Sequence, residues 1–368
     1  MAMDKIRMGV IGANIHRGWA PRSHLPAILA SPEFELTAVC TTRKESAVES
    51  AKRFEARLAF HDYREMLAHP DIDAVAVVLR VPSHYQTTLD AINAGKHVFT
   101  EWPLGKTLAE AQDLAEQARR KKVQHMVGLQ ARANPAIMYM KELVDTGYVG
   151  EMMSCHVSMI RSGVLRRTSD RTWQRDDRLG ATTLTIPFGH TVDAFRYVVG
   201  DFSRVAAVVS TQATQWLETD TQQLVDVTAP DNVLVSGRLQ NGAVASVHVA
   251  AIPWASSGFR MEIYGREGTL VASAAESPQL VPVRLQGAKA GESGLHDLEI
   301  PARYTYVSEH MPQDEPYNVG QMYALFGQAI RSGQPCQPNF DTAVELHRFI
   351  DTVRAASQQG RELAVSTG

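Results

Sequence analysis

The sequence predicts a two-domain α/β protein, with an N-terminal doubly wound parallel sheet followed by an α+β domain on a large open, mostly antiparallel sheet. Three observations predict it. Up to about residue 128, short apolar runs alternate with amphipathic stretches, the texture of βαβ units. After about Asn134 the pattern changes to alternating strands separated by glycine-containing turns. The chain's 368 residues exceed one core of ordinary size. These observations place domains at 1–130 and 131–368.

The first domain's strands are expected at 6–11, 34–40, 74–79, 97–100 and 125–129. Its clearest helix is 107–122. Thr107 followed by Glu110 makes a capping box, Leu108, Ala111, Ala115 and Ala118 line one face, and Arg119 to Lys122 sit where the helix dipole favours cations. In the second domain, strands are expected at 152–159, 204–211, 233–239, 243–250 and 259–264, with a tight hairpin at Gln240-Asn241-Gly242. Residues 274–316, rich in Gly, Pro, Ser and Glu, read as a long excursion from the sheet. Stretches 317–331 and 340–358 read as closing helices.

Composition narrows the function classes. A 44% hydrophobic, 21% charged chain of net charge −3 gives no electrostatic reason to expect nucleic acid or an anionic membrane as partner. Cys40, Cys155 and Cys336 form neither a metal pattern nor an even disulfide framework, so no metal is expected and a reducing cytoplasm fits best. No run approaches the roughly 18 apolar residues of a membrane span, and the N-terminus lacks a secretory h-region.

The first strand feeds Gly12-Ala13-Asn14-Ile15-His16-Arg17-Gly18-Trp19. This segment is similar to the loop that lets a dinucleotide pyrophosphate approach backbone amides. Only Gly12 matches the G-x-G-x-x-G spacing. Asn14 tolerates a left-handed backbone and could hold the turn in place of glycine, with Gly18 serving a lengthened loop. The second strand continues into Thr41-Thr42-Arg43-Lys44 with no acid for ribose hydroxyls. Hydroxyls and a guanidinium suit a 2′-phosphate, so NADP is favoured over NAD. The alternative is that Arg43 and Lys44 merely open the next helix.

Several strings together carry a resemblance. Beside Gly12 and its loop stand Val81-Pro82-Ser83-His84-Tyr85, Glu101-Trp102-Pro103, Gly128-Leu129-Gln130-Ala131-Arg132 and Gly189-His190-Thr191-Val192-Asp193. In order and spacing they resemble the Gfo/Idh/MocA oxidoreductases, most closely the Gal80-like branch. The resemblance implies a Rossmann domain, a second α/β domain whose open sheet mediates homodimers or homotetramers, and a substrate cleft above the nicotinamide. Together with the loop and second-strand readings above, it assigns Gly12, Asn14, Trp19, Thr41, Thr42, Arg43, Val81, Pro82, His84, Glu101, Trp102 and Gln130 to the cofactor. Trp102, Arg132, Trp173, Arg175 and Asp193 fall to the substrate. His190 matches the family histidine and, with Asp193, is the catalytic candidate.

Two positions depart from the family pattern. Its sugar dehydrogenases carry Glu-Lys-Pro where this chain has Glu101-Trp102-Pro103, and an aspartate where it has Ile186. Indole offers one neutral N–H and cannot replace an ammonium. Trp102 could instead stack on a sugar or aromatic substrate, or simply pack. His190 can accept a hydroxyl proton near neutral pH, and Asp193, three residues on, shares its helix face and could orient it. The expected activity is NAD(P)-dependent oxidation or reduction of a sugar, polyol or related small molecule. The alternative is a non-catalytic NADP-binding regulator, as in the fungal member of the branch. His24 is expected to pack between elements.

Overall fold

The computed structural model describes residues 4–366. The chain divides into two compact units. One comprises the residues up to Gln130 together with Thr305–Val344, and the other Ala131–Tyr304 together with the residues from Glu345 onward. Among the described residues no helix is long and apolar enough to cross a membrane.

In the first unit β1 (Ile6–Ile11), β2 (Phe34–Cys40), β3 (Leu58–Phe60), β4 (Ala74–Val77), β5 (His97–Glu101) and β6 (His125–Gly128) form one parallel sheet in the order β3-β2-β1-β4-β5-β6. The order reverses between β1 and β4, the arrangement of doubly wound dinucleotide folds. Burial of β4 on both faces explains its unbroken apolar run, Ala-Val-Ala-Val. β1 and β2 occupy the residues expected of them. β4 ends two residues early, as the chain turns into a 3-10 segment at Val81–Ser83.

Helices α1 (His24–Ala30), α2 (Lys44–Phe54), α3 (Tyr63–Ala68), α4 (His84–Asn93) and α5 (Leu108–Lys121) connect these strands. Further on, α6 (Pro135–Asp145) and α7 (Pro187–Val199) serve the second unit, α8 (Glu315–Ser332) returns to the first, and α9 (Phe340–Gln359) closes the chain. Thr107 caps α5 by accepting the Glu110 N–H at 3.2 Å, but Glu110 reaches back to the N–H of Lys106 rather than Thr107, at 2.7 Å. The buried face of α5 is Ala111, Leu114, Ala115 and Ala118, so Leu114 takes the place expected of the half-buried Leu108.

Residues 305–344 were expected in the second domain, yet they pack with the first unit. The reason is aromatic. Tyr323 of α8 lies 5.3 Å from Phe34 and 5.2 Å from Phe99, and Phe326 stacks on Phe34 at 6.3 Å. Without α8 these large rings on β2 and β5 would face water.

His125 ties the same segment down. Its Nδ1 accepts the N–H of Phe340 at 3.1 Å, which only a ring with no proton on Nδ1 can do, and burial pulls it down to about 4. In the unfolded chain it returns to about 6.5. Between those values the unfolded state binds the extra proton. This contribution is therefore full above about pH 6.5 and is lost as pH falls toward 4, by up to roughly 3 kcal/mol. Thermal melts between pH 7.5 and 4.5 should show this decline, and a His125→Gln variant should flatten part of it. Parallel profiles for the two proteins would refute the assignment.

The second unit is built on a nine-stranded sheet. Its strands are β7 (Met152–Arg161), β9 (Phe202–Ser210), β12 (Asn232–Leu239), β13 (Val244–Ala251), β14 (Gly258–Gly265), β15 (Gly268–Ala274), β16 (Arg284–Lys289), β17 (His296–Asp297) and β18 (Leu363–Ala364). They run in the order β17-β16-β15-β14-β7-β13-β12-β9-β18. A small separate sheet holds β8 (Arg166–Arg167), β10 (Gln215–Glu218) and β11 (Leu224–Asp226). Gly242 takes φ +91° in the expected hairpin between β12 and β13. All pairs in the large sheet are antiparallel except β7 with β13, which run parallel. The supposed excursion at 274–316 is corrected, since β16 and β17 extend the sheet there. Alternation sets its two faces. Cys155, Val157 and Met159 are buried under α7, while Val208, Leu234, Val244 and Tyr264 remain exposed.

Candidate active site

At the end of β1 the chain passes so close to β4 that a Cβ on Gly12 would lie 2.0 Å from the Val78 carbonyl oxygen, at φ +99°. Only glycine fits there. The Gly12 N–H donates to the Cys40 carbonyl at 2.9 Å. Asn14 is not left-handed, contrary to expectation, since the positive-φ non-glycine residues described are Glu55, Lys122 and Gln222. Instead its Oδ1 accepts the His16 N–H at 2.9 Å, an Asx turn that makes the same bend with a side chain. Gly18 takes φ +95°. The N–H groups of Asn14, Ile15 and Gly18 donate to no acceptor among the described residues, and the Trp19 Nε1 is a buried donor likewise unmatched. A loop of unengaged donors at the reversal of the sheet fits a dinucleotide pyrophosphate.

The segment after β2 divides its labour. Thr41 is buried, its hydroxyl 2.7 Å from Ser46 Oγ and 2.9 Å from the Arg43 carbonyl. Thr42, Arg43 and Lys44 are exposed, and neither Arg43 nor Lys44 enters an ion pair among the described residues. A cavity of about 280 Å³ flanks the loop after β1, lined by His16, Arg17, Arg22, Arg53 and Phe54 among others. Arg53 and Phe54 end α2, about 15 Å along the helix from Lys44. The cavity therefore runs from the loop after β1 along the flank of α2.

The ends of β4, β5 and β6 carry the other half. Val81 is buried and Pro82 exposed. His84 is buried with Nδ1 2.7 Å from the Pro103 carbonyl and Nε2 2.9 Å from the Leu79 carbonyl, and burial lowers its pKa. Trp102 is buried, 4% exposed, and its peptide bond to Pro103 is cis. Glu101 is turned inward. It accepts His24 Nε2 at 2.7 Å on Oε1 and Gln130 Nε2 at 2.9 and 3.0 Å on its two oxygens. Gly128 makes room, as a Cβ there would lie 2.8 Å from the carboxylate. His24 Nδ1 in turn meets the Tyr323 hydroxyl at 2.7 Å. Sequence reasoning gave His24 only a packing role and missed Tyr323. The signal available was a pair of polar groups on otherwise apolar helix faces.

In the second unit His190 and Asp193 lie on α7. His190 is 6% exposed, and its N–H donates to the Ile186 carbonyl at 3.0 Å. Asp193 takes a different role from the expected one. Its two oxygens accept Arg132 Nε and Nη2 at 2.8 and 2.7 Å, a bidentate pair, and the Arg132 guanidinium also stands 5.1 Å over the Tyr197 ring. The two residues assigned to substrate thus engage each other. Trp173 is half-buried in the 3-10 segment Ser169–Arg175, and the exposed Arg175 ends it, its carbonyl accepting the N–H groups of Thr228 and Ala229.

Residues 6–129 match the oxidoreductase family with NAD-binding Rossmann fold, Gfo/Idh/MocA, and residues 135–274 match the C-terminal domain of Gal80p. The chain belongs to the Gfo/Idh/MocA family, in its Gal80-like branch. Dehydrogenase aclE of Aspergillus oryzae is 27% identical over 97% of this chain and 97% of its own length. The galactose/lactose metabolism regulatory protein GAL80 of Saccharomyces cerevisiae is 30% identical over 65% of this chain, and the match spans 59% of that regulator. A levoglucosan dehydrogenase in complex with NADH and levoglucosan has the same fold, with TM-score 0.86 and 24% identity over 99% of this chain and 100% of that one.

Proposed function

We propose that the protein is an NAD(P)-dependent oxidoreductase acting on a hydroxyl or keto group of a sugar, polyol or related small molecule. The observation that carries this reading is the loop of unengaged amides around Gly12 at the reversal of the six-stranded sheet. Membership of a family that includes sugar dehydrogenases supports it. When bound, the nicotinamide supplies a hydride acceptor or donor at carbon. His190 takes or returns the hydroxyl proton, and Trp102 offers its indole face. Arg132, Asp193, Trp173 and Arg175 are the polar contacts for the substrate, with Arg132 and Asp193 also paired to each other. The protein works in the cytoplasm as a homodimer or homotetramer joined through the exposed face of the large sheet.

NADP is the better substrate of the two dinucleotides. With the Thr41 hydroxyl turned inward, Thr42, Arg43 and Lys44 are left to meet the adenosine ribose, and none of residues 41–44 is a carboxylate for a free 2′-hydroxyl. The test is absorbance at 340 nm with NADP+ and then NAD+ across aldoses, glycosides, polyols and aromatic diols. Arg43→Ala should weaken NADP+ binding roughly ten-fold, one charge-assisted contact, and leave NAD+ within about two-fold by titration calorimetry. Equal losses for both would remove the NADP assignment.

A second reading, a regulator that binds NADP without turnover, is favoured by one observation. Trp102 occupies the lysine position as a buried side chain, leaving no ammonium at that turn. Tight NADP binding with silence across the substrate panel, and a protein partner taken up only by the loaded form, would establish it.

A further inference from the structure

The buried chain Tyr323–His24–Glu101–Gln130 carries a net charge, and its hydrogen bonds say which. Tyr323 is fully buried, and its only hydrogen-bond partner among the described residues is His24. If His24 Nδ1 held a proton and donated it, the tyrosine O–H would have no acceptor. Leaving it so would cost about 1–3 kcal/mol. The satisfied pattern is the opposite one. The Tyr323 O–H donates to Nδ1, the ring is neutral, and Nε2–H donates to Glu101 at 2.7 Å. Gln130 also donates to Glu101, on both oxygens. Every hydrogen bond Glu101 makes here is one it accepts, which is how an ionised carboxylate bonds. In this pattern three neutral partners surround one negative charge, and the other ionisable group that feels it is His84, whose pKa burial lowers.

That charge has a defined place in the fold. Glu101 ends β5 and Gln130 follows β6, on the far side of the sheet's reversal from β2 and β3. In a doubly wound fold each half of the sheet takes one mononucleotide, outside the carboxyl ends of its strands. The adenosine end belongs to the β1–β3 half, with Gly12 and Arg43. The nicotinamide end therefore belongs to the half holding Glu101. An oxidised nicotinamide ring is a cation and a reduced one is neutral.

We propose that Glu101, held by His24, Tyr323 and Gln130, is a fixed anion that selects the oxidised dinucleotide over the reduced one. This inference rests on the dinucleotide reading given above. Glu101 acts at a distance and touches no reacting atom, so it is a positioning residue for charge. His24 and Tyr323 maintain it, which gives the returning helix α8 a part in cofactor selection.

The experiment measures the dissociation constants of NADP+ and NADPH separately, by titration calorimetry and by NADPH fluorescence, for the wild-type chain and for Glu101→Gln, Glu101→Asp and Gln130→Lys. Glu101→Gln keeps the shape and removes the charge, and Gln130→Lys keeps the carboxylate but places an ammonium against it. Both should lower the ratio Kd(NADPH)/Kd(NADP+) by roughly five- to twenty-fold, what one unit charge yields at about 10–15 Å with an effective dielectric constant near 20. Glu101→Asp should hold the ratio within about two-fold even if both constants rise. If either Glu101→Gln or Gln130→Lys fails to fold, the other still decides. Equal weakening of both redox forms, or no change, would overturn the proposal and leave the network a purely structural brace. Failure of the wild-type chain to bind either form would instead overturn the dinucleotide reading, and this inference with it.

Discussion

A His190→Ala variant is expected to keep its fold and its dinucleotide affinity while turnover falls by roughly 10²- to 10⁴-fold, the usual worth of a general base. His190 lies in the second turn of α7, where alanine is the strongest helix former, so the helix survives the change. The loss should fall on kcat and leave KM nearly unchanged, because the proton moves only on the way to the transition state. The acidic limb of the pH–rate profile should disappear with the imidazole. Asp193 will not compensate, since both its oxygens are held by Arg132. Unchanged turnover on the first substrate found would remove His190 from the chemistry.

Gly12→Val should abolish dinucleotide binding and lower the melting temperature. Two costs combine. A branched side chain at φ +99° is strained, and its Cβ would occupy the space of the Val78 carbonyl, so β1 and β4 must part at the point where the amide loop begins. Together these exceed about 3 kcal/mol, or more than 100-fold in affinity if binding alone bears them. Gly18→Ala is the internal comparison. Its φ of +95° is also strained, but no atom lies within 4 Å of the added carbon, so its loss should be the smaller. Equal effects would mean that backbone angle and not the strand contact governs the loop.

How far the sequence reveals this molecule depends on how local each signal is. β1 and β2 could be read to the residue because strands buried on both faces are bounded by polar turns, and the α5 cap because Thr107 bonds three residues away. The Asn241-Gly242 hairpin was equally local. The parallel pairing of β7 with β13 joins residues some ninety positions apart and leaves no mark in either strand. β16 was hidden by the glycines and serines around it. Gly12, Glu101 and His190 are proposed by motif, but the hydrogen-bond partners of Glu101 and Asp193 were not legible. Their partners, His24 and Arg132, are 77 and 61 residues distant. A carboxylate's role is set by what it faces, and spacing alone could not distinguish a group that meets substrate from one locked to an arginine.

The return of residues 305–344 to the first unit has a consequence during synthesis. The six strands are complete once Gly128 has emerged from the ribosome, yet Phe34 and Phe99 gain their cover only with Tyr323 and Phe326. Residues 131–304 are translated in between, which at about 5–20 residues per second takes roughly 10–35 s. Throughout that interval the nascent sheet displays an aromatic surface made for a helix that does not yet exist. A gene shortened after codon 130 would extend the interval indefinitely, so the nucleotide-binding half cannot be harvested as a contiguous fragment. It has to be expressed with its late helix grafted back.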